Sequence, residues 1–326
     1  MSDTYLPHIS VLLEECLQGL AIGAEGIQEP LFADLTFGAG GHSSAMLERF
    51  PHCRLIAFDQ DPQAIKNGQE LIAARGWGDR AKLVHANFET FPQWVAENTP
   101  GLFNGVLADL GVSSHQFDEK DRGFSFRADA PLDMRMNPSD LDAPTAADLV
   151  NQLPEQDLAN LIFKYGEERL SRRIAARIIE RRQTTPYTTT AELEETCFLS
   201  YPPAQRHKGA HPATRTFQAL RIAVNDELGV LEKLLAGISN VMADGGVTAI
   251  ISFHSLEDRI VKHTFKEIVA QSDKRVTILT KKPIIPSERE VEMNPRARSA
   301  KLRLLRQGNH GGLDGLEKQE EPSEVD

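Results

Sequence analysis

Two hydrophobic rhythms alternate along the chain. Short unbroken apolar runs occur at Leu31-Phe-Ala-Asp-Leu35, Cys53-Arg-Leu-Ile-Ala-Phe-Asp59, Lys82-Leu-Val-His-Ala86, Gly105-Val-Leu-Ala-Asp-Leu110 and Val247-Thr-Ala-Ile-Ile-Ser-Phe253. Runs of this length bounded by turn residues predict buried strands. Between them, apolar residues recur at helical spacing. Residues 5–20 carry Val11, Leu12, Leu13, Cys16, Leu17 and Leu20, and a second helix presents Ala45, Met46, Leu47 and Phe50. Asp61-Pro62 opens a third, with proline at the favoured first position. Between Gln116 and about Thr214 the alternation stops and no strand is predicted. Helices are expected there near Thr145–Gln152, Glu155–Tyr165, Glu168–Gln183 and Ala191–Leu199. A long helix over about Thr216–Met242, ended by Asp244-Gly-Gly246, resumes the pattern. Val276–Thr280 and Lys301–Leu305 are two further strand candidates, and the Gly-rich acidic stretch beyond Gly308 predicts a disordered tail.

The first strand runs into Gly38, Gly40 and Gly41 and then a helix. A glycine turn between strand and helix lets backbone N–H groups approach a nucleotide-like ligand. The spacing is G-x-G-G rather than the G-x-G-x-x-G of dinucleotide-binding proteins. Asp59 ends the second strand about 20 residues after the first glycine, where nucleotide-binding α/β folds place the acid that accepts ribose hydroxyls. Its competing role is a helix cap. Asp34, Phe88 and Asp109 also fall at strand ends, the side of an open α/β sheet where ligands sit. Phe88 is placed either to stack on a base or to plug the sheet edge. Ser255 and Asp258 resemble an N-cap pair for the helix after the fifth strand, and His254 and Asp258 are also placed to contact a substrate.

Composition adds limits. The 326 residues suffice for one large domain or two. No apolar run approaches the roughly 18 residues needed to span a bilayer, and the amino terminus has neither a basic start nor an apolar signal core. Cys16, Cys53 and Cys197 lack metal-ligand spacing, so no metal is expected and a reducing cytoplasm fits. The net charge of −11 conceals basic segments. Arg206, Lys208, Arg215 and Arg221 occur in Pro203–Arg221 without an acidic residue, and the helix near Glu168–Arg182 carries six arginines along one side. Such local patches bind phosphate backbones even on an acidic protein.

Longer motifs carry a resemblance. They are Thr36-Phe-Gly-Ala-Gly-Gly-His42, Phe58-Asp-Gln-Asp-Pro62, Ala108-Asp-Leu-Gly-Val-Ser-Ser114, Arg122-Gly-Phe-Ser-Phe126 and Pro131-Leu-Asp-Met-Arg-Met136. His211-Pro-Ala-Thr-Arg-Thr-Phe-Gln218, Ile251-Ser-Phe-His-Ser-Leu-Glu-Asp-Arg-Ile-Val261 and Asn294-Pro-Arg-Ala-Arg-Ser299 complete the set. Together they resemble the bacterial 16S ribosomal RNA cytosine-N4 methyltransferases of the RsmH (MraW) family. The resemblance implies a class I methyltransferase fold, α/β and Rossmann-like, with a mostly parallel seven-stranded sheet and a helical insertion. It divides the chain into a methyltransferase domain (1–116 and 214–306), an rRNA-recognising insertion (117–213) and an acidic tail (307–326). It implies a cytoplasmic enzyme using S-adenosyl-L-methionine to methylate N4 of a cytidine in the decoding region of the small ribosomal subunit. Monomer and homodimer stay open, and no membrane partner is implied. Carried over by position, cofactor contacts fall on Gly40, Gly41, His42, Asp59, Phe88, Asp109 and Gln116.

A cytosine amino group is a weak nucleophile, and an acceptor for its proton would localise the lone pair during attack. Asp109 is the candidate acceptor, and His254 a second candidate catalytic residue. Two rival functions are an NAD-type Rossmann oxidoreductase and a non-catalytic RNA-binding module on the same fold.

Overall fold

The structure is a computed structural model that describes residues 10–98, 101–112, 120–272 and 275–308. The expected tail beyond Gly308 and the expected start of the first helix before Ser10 lie outside the described residues. Helix α1 (Leu13–Gly23) precedes an alternation of β1 (Leu31–Asp34), α2 (Gly41–Arg49), β2 (Arg54–Asp59), α3 (Pro62–Arg75), β3 (Ala81–His85), α4 (Phe91–Asn98) and β4 (Phe103–Asp109). Helices α5 (Ala146–Gln152), α6 (Glu155–Gly166), α7 (Ser171–Arg182), α8 (Thr190–Ser200) and α9 (Thr214–Val224) follow. The chain then returns through α10 (Glu227–Gly237), β5 (Met242–Ser252), α11 (Ser255–Gln271), β6 (Val276–Ile278), α12 (Glu288–Met293) and β7 (Lys301–Gln307).

The strands form one seven-stranded sheet in the order β3-β2-β1-β4-β5-β7-β6. The first five run parallel, and β7 lies antiparallel to both β5 and β6. This is the Rossmann-like, mostly parallel α/β sheet that the resemblance implied. Alternate strand residues face opposite sides, so each strand feeds two cores. Phe32, Leu55, Ala57 and Leu107 pack with α1 and α2 on one face. Ala33, Ile56, Phe58, Val106 and Ala108 pack with α4, α10 and α11 on the other. Strand order reverses between β1 and β4, which opens a crevice at their carboxyl ends.

A third core belongs to the helices after β4. Leu158, Ile162, Ile174, Ile178, Leu193 and Phe217 meet there with Phe124 and Met134 from the loop that precedes α5. Among the described residues of this region only an isolated bridge, Pro131 to Thr189, has strand character. The loop is pinned to the sheet. The Arg122 guanidinium bonds Asp61 at 2.8 Å and the carbonyl of Met136 at 2.9 Å.

Three sequence expectations are corrected. The helix expected over Thr216–Met242 is broken into α9 and α10 at Asn225-Asp226, where Asp226 takes φ 45°. The Asn225 side chain accepts from the Met136 amide and donates to the Met134 carbonyl, at 2.7 and 2.8 Å. The break lets Phe217 and Leu220 enter the third core while Leu231 and Leu235 enter the sheet core. Asp244-Gly-Gly246 lies inside β5, not after a helix, because the pairing with β4 jumps from Phe103↔Met242 to Gly105↔Val247 and the extra residues bulge. Finally, α11 is capped by His254 with Glu257, and not by Ser255 with Asp258. Asp258 instead bonds Arg303 on β7 at 2.7 Å.

Helices α6 and α9 cross closely at Gly166, where an added Cβ would stand 2.4 Å from the Arg215 carbonyl oxygen. Gly166→Ala is expected to destabilise the protein by about 1–3 kcal/mol, because two backbones must part. Gly78→Ala, with nothing within 4 Å, should change stability by less than about 0.5 kcal/mol. Urea denaturation of both variants checks the pair.

Candidate active site

The crevice is built from strand ends outward. At the end of β1, Asp34 is buried and accepts from the Ser43 hydroxyl at 2.7 Å and the Thr36 amide at 3.1 Å. This locks the start of the glycine turn. Gly38 (φ 53°) and Gly40 (φ 78°) then take left-handed conformations, which side-chain-bearing residues rarely adopt. A Cβ on Gly40 would also stand 2.7 Å from the Phe37 ring. The Gly38 amide donates to Asp59 Oδ2 at 2.7 Å, joining the turn to the end of β2. Gly41 starts α2, whose first amides have no partner inside the helix.

Asp59 accepts a second backbone bond, from the Asp61 amide at 2.8 Å. Burial nevertheless pushes its carboxyl up to about 6, against the pull of those two amides. The cap role weighed for it belongs to Asp61, which accepts from the Gln63 amide at the start of α3. Phe88 opens a short 3-10 turn after β3, packs on the sheet core with one side and lines the crevice with the other.

At the end of β4 the Asp109 amide donates to Thr36 Oγ1 at 2.7 Å, holding β4 against the glycine turn. Oδ2 of its carboxylate lies 3.7 Å from His42 Nδ1. Oδ1 is buried with no hydrogen-bond partner among the described residues. Burial first, then the negative charges of Asp34 and Glu257, raise this carboxyl well above the ordinary range. His42 Nε2 stands 3.0 Å from the Val11 carbonyl. That oxygen only accepts, so Nε2 carries the hydrogen and a neutral ring turns its Nδ1 lone pair towards Asp109.

The space enclosed, with its open mouth, is about 940 Å³ and is lined by Gly41, His42, Asp59, Phe88 and Asp109. The structure therefore gathers five of the eight expected site residues around one crevice. Gly40 caps α2 just behind the lining. Gln116 lies outside the described residues. His254 stands apart from the lining. Its ring is 9% exposed, takes the Glu257 amide on Nδ1 and pairs with Glu257 through Nε2 at 3.1 Å. Glu227 is near enough for these three side chains to surround a cation. The Arg221 guanidinium, however, already binds Glu227 through two 2.7 Å bonds.

Sequence reasoning missed Val11, Met136, Phe253 and Arg296, which also line the crevice. Met136 and Arg296 sit in motifs that were legible, Pro131–Met136 and Asn294–Ser299, but nothing in spacing alone says that they fold back over the sheet. Among the described residues no helix is long and apolar enough to cross a membrane.

Comparison with known proteins agrees with this geometry. The family model described as the MraW methylase family matches residues 5–308. The protein named Ribosomal RNA small subunit methyltransferase H from Synechococcus elongatus is 49% identical over 299 residues, covering 91% of this chain and 93% of that one. The protein of the same name from Clostridioides difficile is 46% identical over 312 residues, with 91% and 97% covered. A solved structure of an rRNA methylase from Streptococcus thermophilus aligns at a TM-score of 0.43 and 10% identity, covering 92% of this chain and 98% of that one. The sheet order stands without that last likeness. With its motifs, its strand-end crevice and a family match over nearly its whole length, the chain belongs to the MraW methylase family.

Proposed function

We propose that the protein methylates N4 of a cytidine in the decoding region of small-subunit 16S rRNA, with S-adenosyl-L-methionine as methyl donor, in the cytoplasm. The observation that carries this reading is the Asp109 carboxylate, half-enclosed at the end of β4 with a buried oxygen that no described residue satisfies. The names of the relatives supply the substrate class.

The crevice residues fit the donor. Asp59 is placed to accept a ribose diol, since a carboxylate oxygen pair takes two hydroxyl donors. The left-handed glycine turn keeps side chains away from the bound molecule, and Phe88 presents a ring to a base. When bound, the donor supplies an electrophilic methyl group on a sulfonium. The protein's own task is then to align the amino nitrogen behind that methyl and to remove a proton. As the methyl group passes to the nitrogen and the sulfonium leaves as a neutral thioether, N4 would lose its proton to Asp109, with the His42 ring 3.7 Å from that carboxylate. His254 has a positioning role in this scheme, holding Glu257, whose charge bears on Asp109.

The target base must leave its stack to reach such a crevice. We assign rRNA recognition to the insertion, residues 117–213, and to the exposed side of α7. Arg172 and Arg173 point to solvent there. Arg181 and Arg182 do not share that task. They bond the carbonyls of Glu192 and of Val150 and Leu153, and so tie the helices together.

Four tests follow from this scheme. Incubation with labelled S-adenosyl-L-methionine and either free 16S rRNA or small subunits should yield one labelled cytidine; hydride transfer to a nicotinamide, or no product, would favour the oxidoreductase or the non-catalytic module. In that assay Asp109→Asn should lower turnover about 10²-fold or more while leaving donor affinity within a few-fold, and full turnover would refute the proton-acceptor role.

Asp59 gives a pH dependence. Its carboxyl titrates at about 6 when the crevice is empty of ligand, and a diol donates to the ionised form. Donor affinity should therefore be constant above pH 7 and fall up to about tenfold per unit as pH drops below 6. Calorimetry from pH 5 to 8 measures it, and Asp59→Asn should flatten the curve. Neutralising Arg172 and Arg173 together should reduce the salt dependence of rRNA binding by roughly 0.7–0.9 in slope per lost phosphate contact.

A further inference from the structure

The crevice has an aromatic ring at each end. Phe88, after β3, lines one end beyond Asp59, and Phe253, the first residue after β5, lines the other beyond Asp109. The strand order β3-β2-β1-β4-β5 lays out the lining between them as Phe88, Asp59, the glycine turn, Asp109 and Phe253. The methyl donor uses the first part of that row, with its base at Phe88, its ribose at Asp59 and its methyl-bearing end past the glycine turn. The part beyond Asp109 is left for the molecule that receives the methyl group.

Strand register sets the Phe253 ring near the reacting carboxylate. Asp109 on β4 pairs with Ile251 on β5, and the Leu110 amide still donates to the Ile251 carbonyl at 3.0 Å. Alternation places Asp109 and Phe253 on one side of the sheet, that of Leu107 and Ile251. Two residues past Asp109, within about 7 Å of chain, a Cβ on Gly111 would stand 3.7 Å from the Phe253 ring. A φ of 101° reserves that position for glycine, so the chain after β4 sends no side chain against the ring there. Phe253 is half-buried, packing on the core beneath with one part and lining the crevice with the rest. Its amide donates to the buried Glu257 at 2.8 Å, which fixes the backbone that carries it. Past Phe253 comes the segment that enters β7, whose first residue, Lys301, pairs with Ser252. A 3-10 turn there, Pro295–Ser299, is held by Asn294, which accepts from the Arg296 amide at 3.3 Å, and by the fully buried Ala297. Arg296 itself is exposed and lines the crevice at this end.

We propose that Phe253 and Arg296 form the acceptor subsite, in which the turned-out cytosine stacks on the Phe253 ring with its amino group towards Asp109, and the Arg296 guanidinium takes a phosphate of the same nucleotide. This rests on the reading that the substrate is a cytidine in RNA. A base pulled from its stack loses the faces on either side of it, and an aromatic ring replaces one of them. A planar guanidinium binds phosphate through paired donors. Two nucleosides must meet in this one crevice, the donor's adenosine and the target cytidine, and it has one ring for each. The division also sorts the residues by ligand: Phe88 and Asp59 set the affinity for the donor, and Phe253 and Arg296 set the affinity for RNA.

The test uses the full-length protein with labelled S-adenosyl-L-methionine and small subunits. Phe253→Leu, which keeps apolar packing on the core, should lower kcat/KM for RNA roughly five- to hundredfold. S-adenosylhomocysteine affinity and melting temperature should match wild type. Phe253→Tyr, which keeps the ring, should recover most of the loss. Arg296→Ala should raise KM for RNA and lower the salt slope of RNA binding by about one phosphate contact, again with donor affinity unchanged. A second readout uses wild type alone. RNA carrying 5-iodocytidine at the target position, irradiated with the protein and S-adenosylhomocysteine, should cross-link to Phe253, because a halopyrimidine couples to the ring it stacks on. Should the leucine variant unfold, that cross-link decides by itself. Full activity of Phe253→Leu, loss of donor affinity in place of RNA affinity in either variant, or a cross-link that maps to Phe88 or elsewhere would overturn the subsite while methylation of the RNA stands. If wild type transfers no methyl group to RNA, the proposed function falls and the subsite with it.

Discussion

Burying carboxylates at the ends of adjacent parallel strands is the constraint on which the rest of this molecule turns. Asp34, Asp59 and Asp109 end β1, β2 and β4, neighbours across the point where the strand order reverses. An ionised carboxylate taken out of water is costly unless donors surround it. The fold supplies donors unevenly. Asp34 has the Ser43 hydroxyl and a backbone amide. Asp59 has two amides, one of them from the glycine turn. Asp109 has His42 at 3.7 Å and a buried oxygen with no described partner. Asp34 and Asp59 are thus satisfied twice each, and Asp109, across the switch point, is the one left short. The glycine turn serves both purposes, since the φ that aims its amide at Asp59 also clears the space in front of it.

The same row explains why the insertion is fastened where it is. Arg122 meets Asp61 two residues beyond β2, and its other bonds go to the backbone at Arg135 and Met136. Met136 then lines the crevice, and its thioether accepts from Gln60 at 3.1 Å. Asn225 holds the same segment from the far side, at the cost of breaking a helix. One loop is therefore clamped between the sheet and the third core. The insertion and the crevice share these few bonds, which couples the position of the one to the shape of the other.

The sequence was legible where local physics decides. Short apolar runs marked the five parallel strands, although β5 begins five residues before its run, because residues buried on both faces of a sheet leave little room for polar alternation. The insertion helices were equally plain from their apolar stripes. Legibility failed where a distant segment decides. Nothing between Thr216 and Met242 says that Asn225 is needed by Met134 and Met136. The cap of α11 slipped by one residue because Ser255 and Asp258 look like better capping residues than His254, and only the claim of Arg303 on Asp258 removes them. In the site, Asp59, Phe88 and Asp109 were found by one rule, that ligands sit at strand ends. Arg296 and Phe253 reach the crevice through tertiary folding that no spacing encodes.

Net charge is a poor guide to this protein's partner because the charges are sorted by role. Several arginines that look like a phosphate-binding face are internal fasteners. Arg181 stacks on Tyr187 at 4.8 Å, Arg182 ties α7 to the end of α5, and Arg221 is half-buried against Glu227. Removing them would loosen the fold, and the effect on RNA binding would be indirect. The cations with their heads in water, Arg172, Arg173 and Lys208, stand on the insertion. Phosphate attraction without stacking holds a strand but does not unstack it.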